Sequence, residues 1–221
     1  METTLPDTRT ALLQAALVCF ADHGFDGTSM RRVAESAGRP LSLLSHYFRN
    51  KEGLYLEVFK FILESSVHVA ATPPNLADRV PPDRQGAIRL LREQIHLMYQ
   101  EAVPVETSAS PFQDYKARLW LQEFQSPRLC LQPIMKQHLS PIINVIRECI
   151  RVIRPELNEA QIAFLGITIT GQVVGHGMMV GLSKVVWGDY PQFGTRFQEA
   201  ELLMDFCLNG LLSESTAKQK K

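Results

Sequence analysis

Most of the markers that assign a chain to a specialised class are scarce here. Among 221 residues there are only four cysteines, Cys19, Cys130, Cys149 and Cys207, and no two of them form a C-x-x-C pair. The spacings match neither a zinc framework nor a disulfide framework, so free buried thiols in a reducing compartment are expected. Neither sign of charge is in excess: 23 Lys and Arg face 23 Asp and Glu. A nucleic-acid surface must then be a local patch rather than a property of the whole chain. With 13 Gly and 13 Pro and no period, collagen-like and low-complexity architectures are excluded. A 45% hydrophobic content excludes wholesale disorder. The opening METTLPDTRT has no apolar run of the kind a secretory signal needs, and a cytoplasmic location is expected.

Catalytic and metal signatures are equally scarce. There is no P-loop, no G-x-S-x-G and no His-Glu-x-x-His. Glu93 and His96 make half of a helical di-iron pattern, but the second half is missing. The six histidines are scattered. No metal, cofactor or catalytic residue is expected, and the chain reads as a non-enzyme.

Helical periodicity is abundant. Leu13, Ala16, Leu17 and Phe20 fall on one face of a helix from about Thr8 to His23, which Gly24 ends. Thr28 or Ser29 caps a second short helix running to Ala37, and Gly38 supplies a positive-φ turn. Pro40 opens a third helix to Phe48, and Asn50 caps a fourth that runs to about Ala71. Pro73-Pro74 and Pro81-Pro82 bracket a linker before a helix ending near Ala102. Val103 to Ser110 reads as a loop, followed by a helix from Pro111 to Phe124. Ser126-Pro127 reads as the cap and first turn of a helix to Ile153, kinked or broken at Pro141. A helix over Glu159–Val186 follows, and Pro191 opens the last one, to Leu212. The fold expected is all-α, with about nine helices. A natural domain boundary falls near position 50, separating residues 1–50 from residues 51–221.

One stretch imitates a membrane span. Ile162 to Leu182 has no charged residue and is long enough to cross a bilayer. Gln172 and His176 at its centre are costly in hydrocarbon, so it reads as a helix buried on most sides within protein, with no membrane partner.

The chemistry concentrates near the start. Two short helices joined by a glycine turn make a helix-turn-helix, whose second helix enters a DNA major groove. Between Thr28 and Lys51 stand five cations, Arg31, Arg32, Arg39, Arg49 and Lys51, against Glu35 alone. Guanidinium groups bind phosphates and also read guanine edges. The alternative is a solvated basic face on a small helical bundle.

The residues at 9–59 also carry a family resemblance. ALVCFADHGFDGTSMRRVAESAG, then Tyr47-Phe48, then NKEGLY at 50–55 resemble the DNA-binding domain of the tetracycline-repressor (TetR) family. The resemblance implies an all-helical homodimer that binds a palindromic operator in double-stranded DNA and is released by a small-molecule effector, here unknown. By position it makes Arg31 a groove-facing residue, Lys51 a phosphate contact and Tyr47 an aromatic near the backbone. The reader departs from the family pattern. Ser45 stands where a tyrosine is usual, and Leu41, Leu43 and Leu44 make the helix unusually apolar. Leu44 reads as core, whereas Leu41 or Leu43 suits a thymine methyl. Ser45 and His46 complete the expected DNA-binding set. LWLQEFQSPR, HLSPII and ITGQVVGHGM, within about 119–187, resemble the CecR-like subgroup of the same family.

For the remaining chain the expectations are looser. Phe59, Ile62, Ser66, Met98, Trp120, Phe124 and Phe164 are candidates to line a ligand pocket, with plain core packing as the alternative. Gln172 and His176 lie one turn apart and either face that cavity or bond across a dimer interface. Gly171 and Gly175 clear a strip for close helix approach, and Met178, Phe197, Met204 and Leu208 are the expected interface neighbours. Two other classes stay open: a DNA-bound interaction protein of the same fold with no small ligand, and a helical enzyme.

Overall fold

The computed structural model describes residues 7–103, 111–124, 127–188 and 193–212. Every regular element among them is helical. The α-helices are α1 (Thr8–Gly27), α2 (Met30–Ser36), α3 (Leu41–Tyr47), α4 (Lys51–Glu64), α5 (Val67–Ala71), α6 (Arg84–Ala102), α7 (Pro111–Phe124), α8 (Gln132–Ile153), α9 (Glu159–Trp187) and α10 (Arg196–Leu212). A single 3-10 turn spans Ala77–Arg79. This is the all-α class expected, with ten α-helices among the described residues rather than nine.

The extra helix comes from a break that the sequence reading passed over. The fourth helix does not run to Ala71; it stops at Glu64. The Ser65 hydroxyl donates back to the Ile62 carbonyl at 2.8 Å, and the Ser65 and Ser66 amides bond three residues back. That tightening ends the α-helical ladder, as serine competing for backbone groups tends to do. The Glu101 side chain then accepts from the Val67 amide at 2.9 Å, satisfying an amide at the start of α5.

Contacts divide the chain into two units. Unit 1 is Met1–Ser66 with Pro104–His138, and unit 2 is Val67–Val103 with Leu139–Lys221. Helices α4 and α7 thus group with the first 50 residues.

In unit 1, α1 packs against α2, α4 and α7, and α2 against α3. Leu13, Leu17, Phe20, Leu44, Leu54, Tyr55, Val58 and Phe59 are all fully buried. In unit 2, α6 packs against α5, α9 and α10. Leu91, Ile95, Val145, Ile146, Cys149, Val173 and Met204 lie at the centre of its apolar cluster. Arg92 ties α6 to α10 by bonding Glu201 at 2.5 Å and Asp205 at 3.2 Å. The Arg196 guanidinium donates to three carbonyls at and just past the end of α6, those of Tyr99, Gln100 and Val103.

Other differences from the sequence reading have local causes. Helix α8 begins at Gln132, after a turn over residues 129–131, so Pro127 does not open it. Pro141 lies inside α8 without ending it. The expected loop over 104–110 and the proline at 191 fall outside the described residues. At α10, Thr195 and Gln198 exchange bonds with one another's backbone amides, a capping box that starts the helix at Arg196. Two of the four free thiols, Cys130 and Cys207, are half-buried rather than buried.

The largest correction concerns α9. It was expected to be buried on most sides, yet only one face is. Ile162, Ile169, Val173 and Val180 are buried, whereas Phe164, Ile167, Met178, Met179, Leu182, Val185 and Trp187 are exposed. Glu159–Val180 is long and apolar enough to cross a membrane, with 28% of its most apolar window buried.

Candidate nucleic-acid interface

The reader begins with how α1 ends. Gly24 adopts φ 69°, outside the helical region, and turns the chain. The Thr28 hydroxyl sits 3.0 Å from the Cys19 carbonyl and 2.8 Å from that of Gly24, fixing the turn. Ser29 then caps α2 by accepting from the Arg32 amide. Gly38, at φ 62°, makes the turn into α3. Leu44 and Phe48 anchor α3 in the core, and Val33 and Ala34 do the same for α2. The outward side of α3 is thereby set: Leu41, Ser42, Ser45, His46 and Tyr47 are exposed. Of the two leucines suited to a thymine methyl, Leu41 is 44% exposed and Leu43 is only half-exposed. Leu44 is core, as expected. Ser42 belongs to this face and was missed by sequence reasoning; its spacing of four from His46 is the signal that identifies it.

The cations are held in different ways. Arg31 projects from α2 with its side chain 81% exposed and bonds Glu35 at 2.8 Å. Arg32 donates to the Gly27 carbonyl at 3.1 Å. Arg39 and Arg49 are exposed. The Lys51 ammonium donates to the Phe25 carbonyl at 3.1 Å and stands 4.3 Å from the centre of the Phe25 ring. An ammonium has three donors, so capacity remains for a phosphate. Lys51 also opens α4, behind an Asn50 cap that accepts from the Gly53 amide at 2.8 Å.

Behind the reader lies a buried polar group that the sequence did not announce. Glu123 on α7 is 3% exposed. It accepts from the Tyr55 hydroxyl and from the Arg128 amide, each at 2.8 Å, and its carboxylate is 3.3 Å from the Arg128 guanidinium. Burial and the Glu123 hydrogen bond push the Tyr55 phenol above its ordinary range, so it acts as a neutral donor. The Arg128 guanidinium stands 4.3 Å from the same Phe25 ring that meets Lys51.

The structure divides the expected ligand residues between the units. In unit 1, Phe59 meets Trp120 edge-on at 5.0 Å, and Trp120 stacks on Phe124 at 5.8 Å. Ile62 and Ser66 are buried nearby in sequence on and just after α4. In unit 2, Met98 is buried, and the His176 ring lies 5.7 Å from Tyr99. Burial lowers the His176 pKa, keeping the ring neutral. Gln172 is exposed and Phe164 is 69% exposed, so neither lines the interior of unit 2.

The expected interface set is also divided. Gly171, Met178 and Phe197 are exposed and Gly175 is half-exposed. Met204 and Leu208 are corrected: they share the buried stripe of α10 with Ala200 and Leu211, inside unit 2. The exposed apolar residues of α10 are instead Phe197, Leu202 and Phe206. Among the described residues, no cluster of three or more His, Cys, Asp or Glu could hold a metal ion.

Residues 12–58 match the family of bacterial regulatory proteins, tetR family. The repressor AcnR of Corynebacterium diphtheriae is 39% identical over 54 residues, which are 24% of this chain and 28% of that protein. The regulator RutR of Escherichia coli is 43% identical over 56 residues, 25% of this chain and 26% of that protein. The chain thus spans about a quarter of the length of these curated relatives. Over nearly the whole chain the fold is shared with a putative transcriptional regulator from Pseudomonas aeruginosa (TM-score 0.63, 18% identity, 96% of this chain and 93% of that one). It is shared as well with HlyIIR, a hemolysin II transcriptional regulator (TM-score 0.60, 19% identity, 90% and 96%).

Proposed function

From the TetR-family DNA-binding domain over residues 12–58, we propose that this protein is a cytoplasmic homodimeric transcriptional regulator, not an enzyme. It binds a palindromic operator through α2 and α3 and is released by a small-molecule effector. Residues 1–50 contact DNA; residues 51–221 serve effector and partner. The observation that carries the reading is the α2–α3 pair itself. A short helix with a five-residue exposed face follows a Gly38 turn, and exposed Arg31 and Arg39 and the anchored Lys51 stand near it in the chain. A face of that kind suits a major groove, with phosphates on either side.

The apolar face of α9 and α10 supports the dimer. On α9, Phe164, Ile167, Met178, Met179, Leu182, Val185 and Trp187 are exposed, more large apolar side chains than a solvated helix commonly shows. A second copy covers it better than lipid does, because Gln172 and Thr168 lie on the exposed side. Phe59, Trp120 and Phe124 are the effector-facing group, because their stack sits on the two helices, α4 and α7, that the Tyr55–Glu123 bond joins. The LWLQEFQSPR and ITGQVVGHGM segments support placement in the CecR-like branch.

Selection of duplexes from a random pool by the intact protein tests the reading. The expected product is an inverted repeat with half-sites about one helical turn, or a multiple of it, apart. A pool that shows no enriched sequence contradicts it.

A further inference from the structure

The reader helix has an unusual chemical poverty. Its seven residues, LSLLSHY, include no Arg, Lys, Asn, Gln, Asp or Glu. Those side chains make the contacts, bidentate for guanine and adenine, by which a helix usually distinguishes guanine, adenine or cytosine in the major groove. What α3 presents instead is Leu41 at 44% exposure, the hydroxyls of Ser42 and Ser45, one imidazole, and Tyr47. Leu44 is buried and Leu43 half-exposed, so Leu41 is the most exposed aliphatic group of α3. Leu41 and Ser45 are four apart, as are Ser42 and His46, so the face has two parallel rows. In a helix-turn-helix the N-terminal residues of the reader contact the base edges, and Leu41 is the first residue of α3.

On a major-groove floor the feature complementary to an isobutyl group is the C5 methyl of thymine. Given the reading of α2–α3 as the DNA reader, we infer that each operator half-site contains a thymine whose C5 methyl packs against Leu41. Contact of Leu41 with that methyl, with single hydrogen bonds from the two serines, sets the preference of α3. Bidentate reading of guanine comes from outside α3, by Arg31 or Arg39.

Thymine and deoxyuridine differ only by this methyl and pair identically, so they isolate the contact. The intact protein is titrated against its selected operator and against duplexes carrying deoxyuridine at one symmetric pair of thymine positions at a time. At one such pair the affinity falls about fourfold for each methyl removed, and at the other pairs it does not change. In Leu41→Ala the thymine and deoxyuridine duplexes bind alike at that position. Leu41→Val serves as the milder variant should the alanine protein lose its helical circular dichroism, and it reduces the discrimination. Equal binding of every deoxyuridine duplex by the unaltered protein overturns the inference and leaves the DNA-binding reading standing. Undiminished discrimination in a folded Leu41 variant overturns it too. A pool with no enriched duplex overturns the DNA-reader reading and this inference together.

Discussion

Helices α3 and α9 both expose apolar side chains, but in different company. On α3, Leu41 stands among Ser42, Ser45 and His46, over a face five residues long. On α9 the exposed apolar residues run from Phe164 to Trp187, and Phe197, Leu202 and Phe206 of α10 in the same unit are exposed as well. A mixed polar and apolar face suits a base edge, which offers hydrogen-bonding groups and methyls together. A long apolar face has no such partner in DNA and calls for another apolar face. The contrast also explains why α9 misleads as a sequence. A helix whose interior carries small residues and no charge has the same composition whether its second side meets its own core or a second copy.

The strongest way to break the contrast is to charge the α9–α10 face. Met178→Glu with Phe206→Glu places two carboxylates where the chain itself is open, so a single chain keeps its fold. In a dimer each unpaired buried charge costs about 3 kcal/mol or more, enough to weaken association more than a hundredfold. Sedimentation is expected to show monomers, and operator binding falls with it.

Two glycines on α9 sharpen it. A Cβ at Gly177 would lie 2.4 Å from the Ala102 carbonyl oxygen, within the same unit. Gly177→Ala is expected to lower stability by about 1–3 kcal/mol, read as a fall in the thermal midpoint. At Gly175 an added Cβ meets nothing within 4 Å. Gly175→Leu is expected to leave the single chain as stable as before and to weaken only dimerisation, by overpacking between copies. A fall in single-chain stability from Gly175→Leu would place that strip inside the protein after all.

On the DNA side, Lys51→Ala is expected to weaken all duplexes about equally. The dependence of log affinity on log salt becomes shallower by about 0.9, the effect of one phosphate contact. Arg31→Ala is expected to relax sequence preference as well, by about 1–3 kcal/mol at the affected base pair. Unchanged binding in both variants would move the interface away from this patch.

The smallest effect is in pH. His68 is buried on α5, with its Nε2 3.1 Å from the Gln94 side-chain oxygen, and burial lowers its pKa below the ordinary 6.5. Above pH 6.5 both folded and unfolded chains carry the neutral ring and the full stability is present. As pH falls through 6.5 the unfolded chain takes up the proton first, so stability is lost toward the lowered folded value. His68→Gln is expected to flatten that slope in thermal melts between pH 7.5 and 5.5, a range of roughly one unit either side of the ordinary value.

Local chemistry made much of unit 1 legible. Gly24 and Gly38 require positive φ, and Ser29 and Asn50 cap helices with their own side chains, so each boundary is written in one or two residues. Signals that need a distant partner were not legible. The start of α5 depends on Glu101, which accepts from the Val67 amide 34 residues away in the chain. Glu123 reads as an ordinary surface charge of an amphipathic helix until Tyr55 and Arg128 are seen around it. Met204 and Leu208 have the hydrophobicity of an interface, and only their alignment with Ala200 and Leu211 places them in the core.

Pairing with a second copy of this chain through the open face of α9 and α10 is what the proposed dimer requires. Sedimentation equilibrium of the unaltered protein at micromolar concentration measures that directly. A mass of twice the single chain, unchanged by moderate salt, is the result predicted. A single-chain mass under those conditions would contradict it.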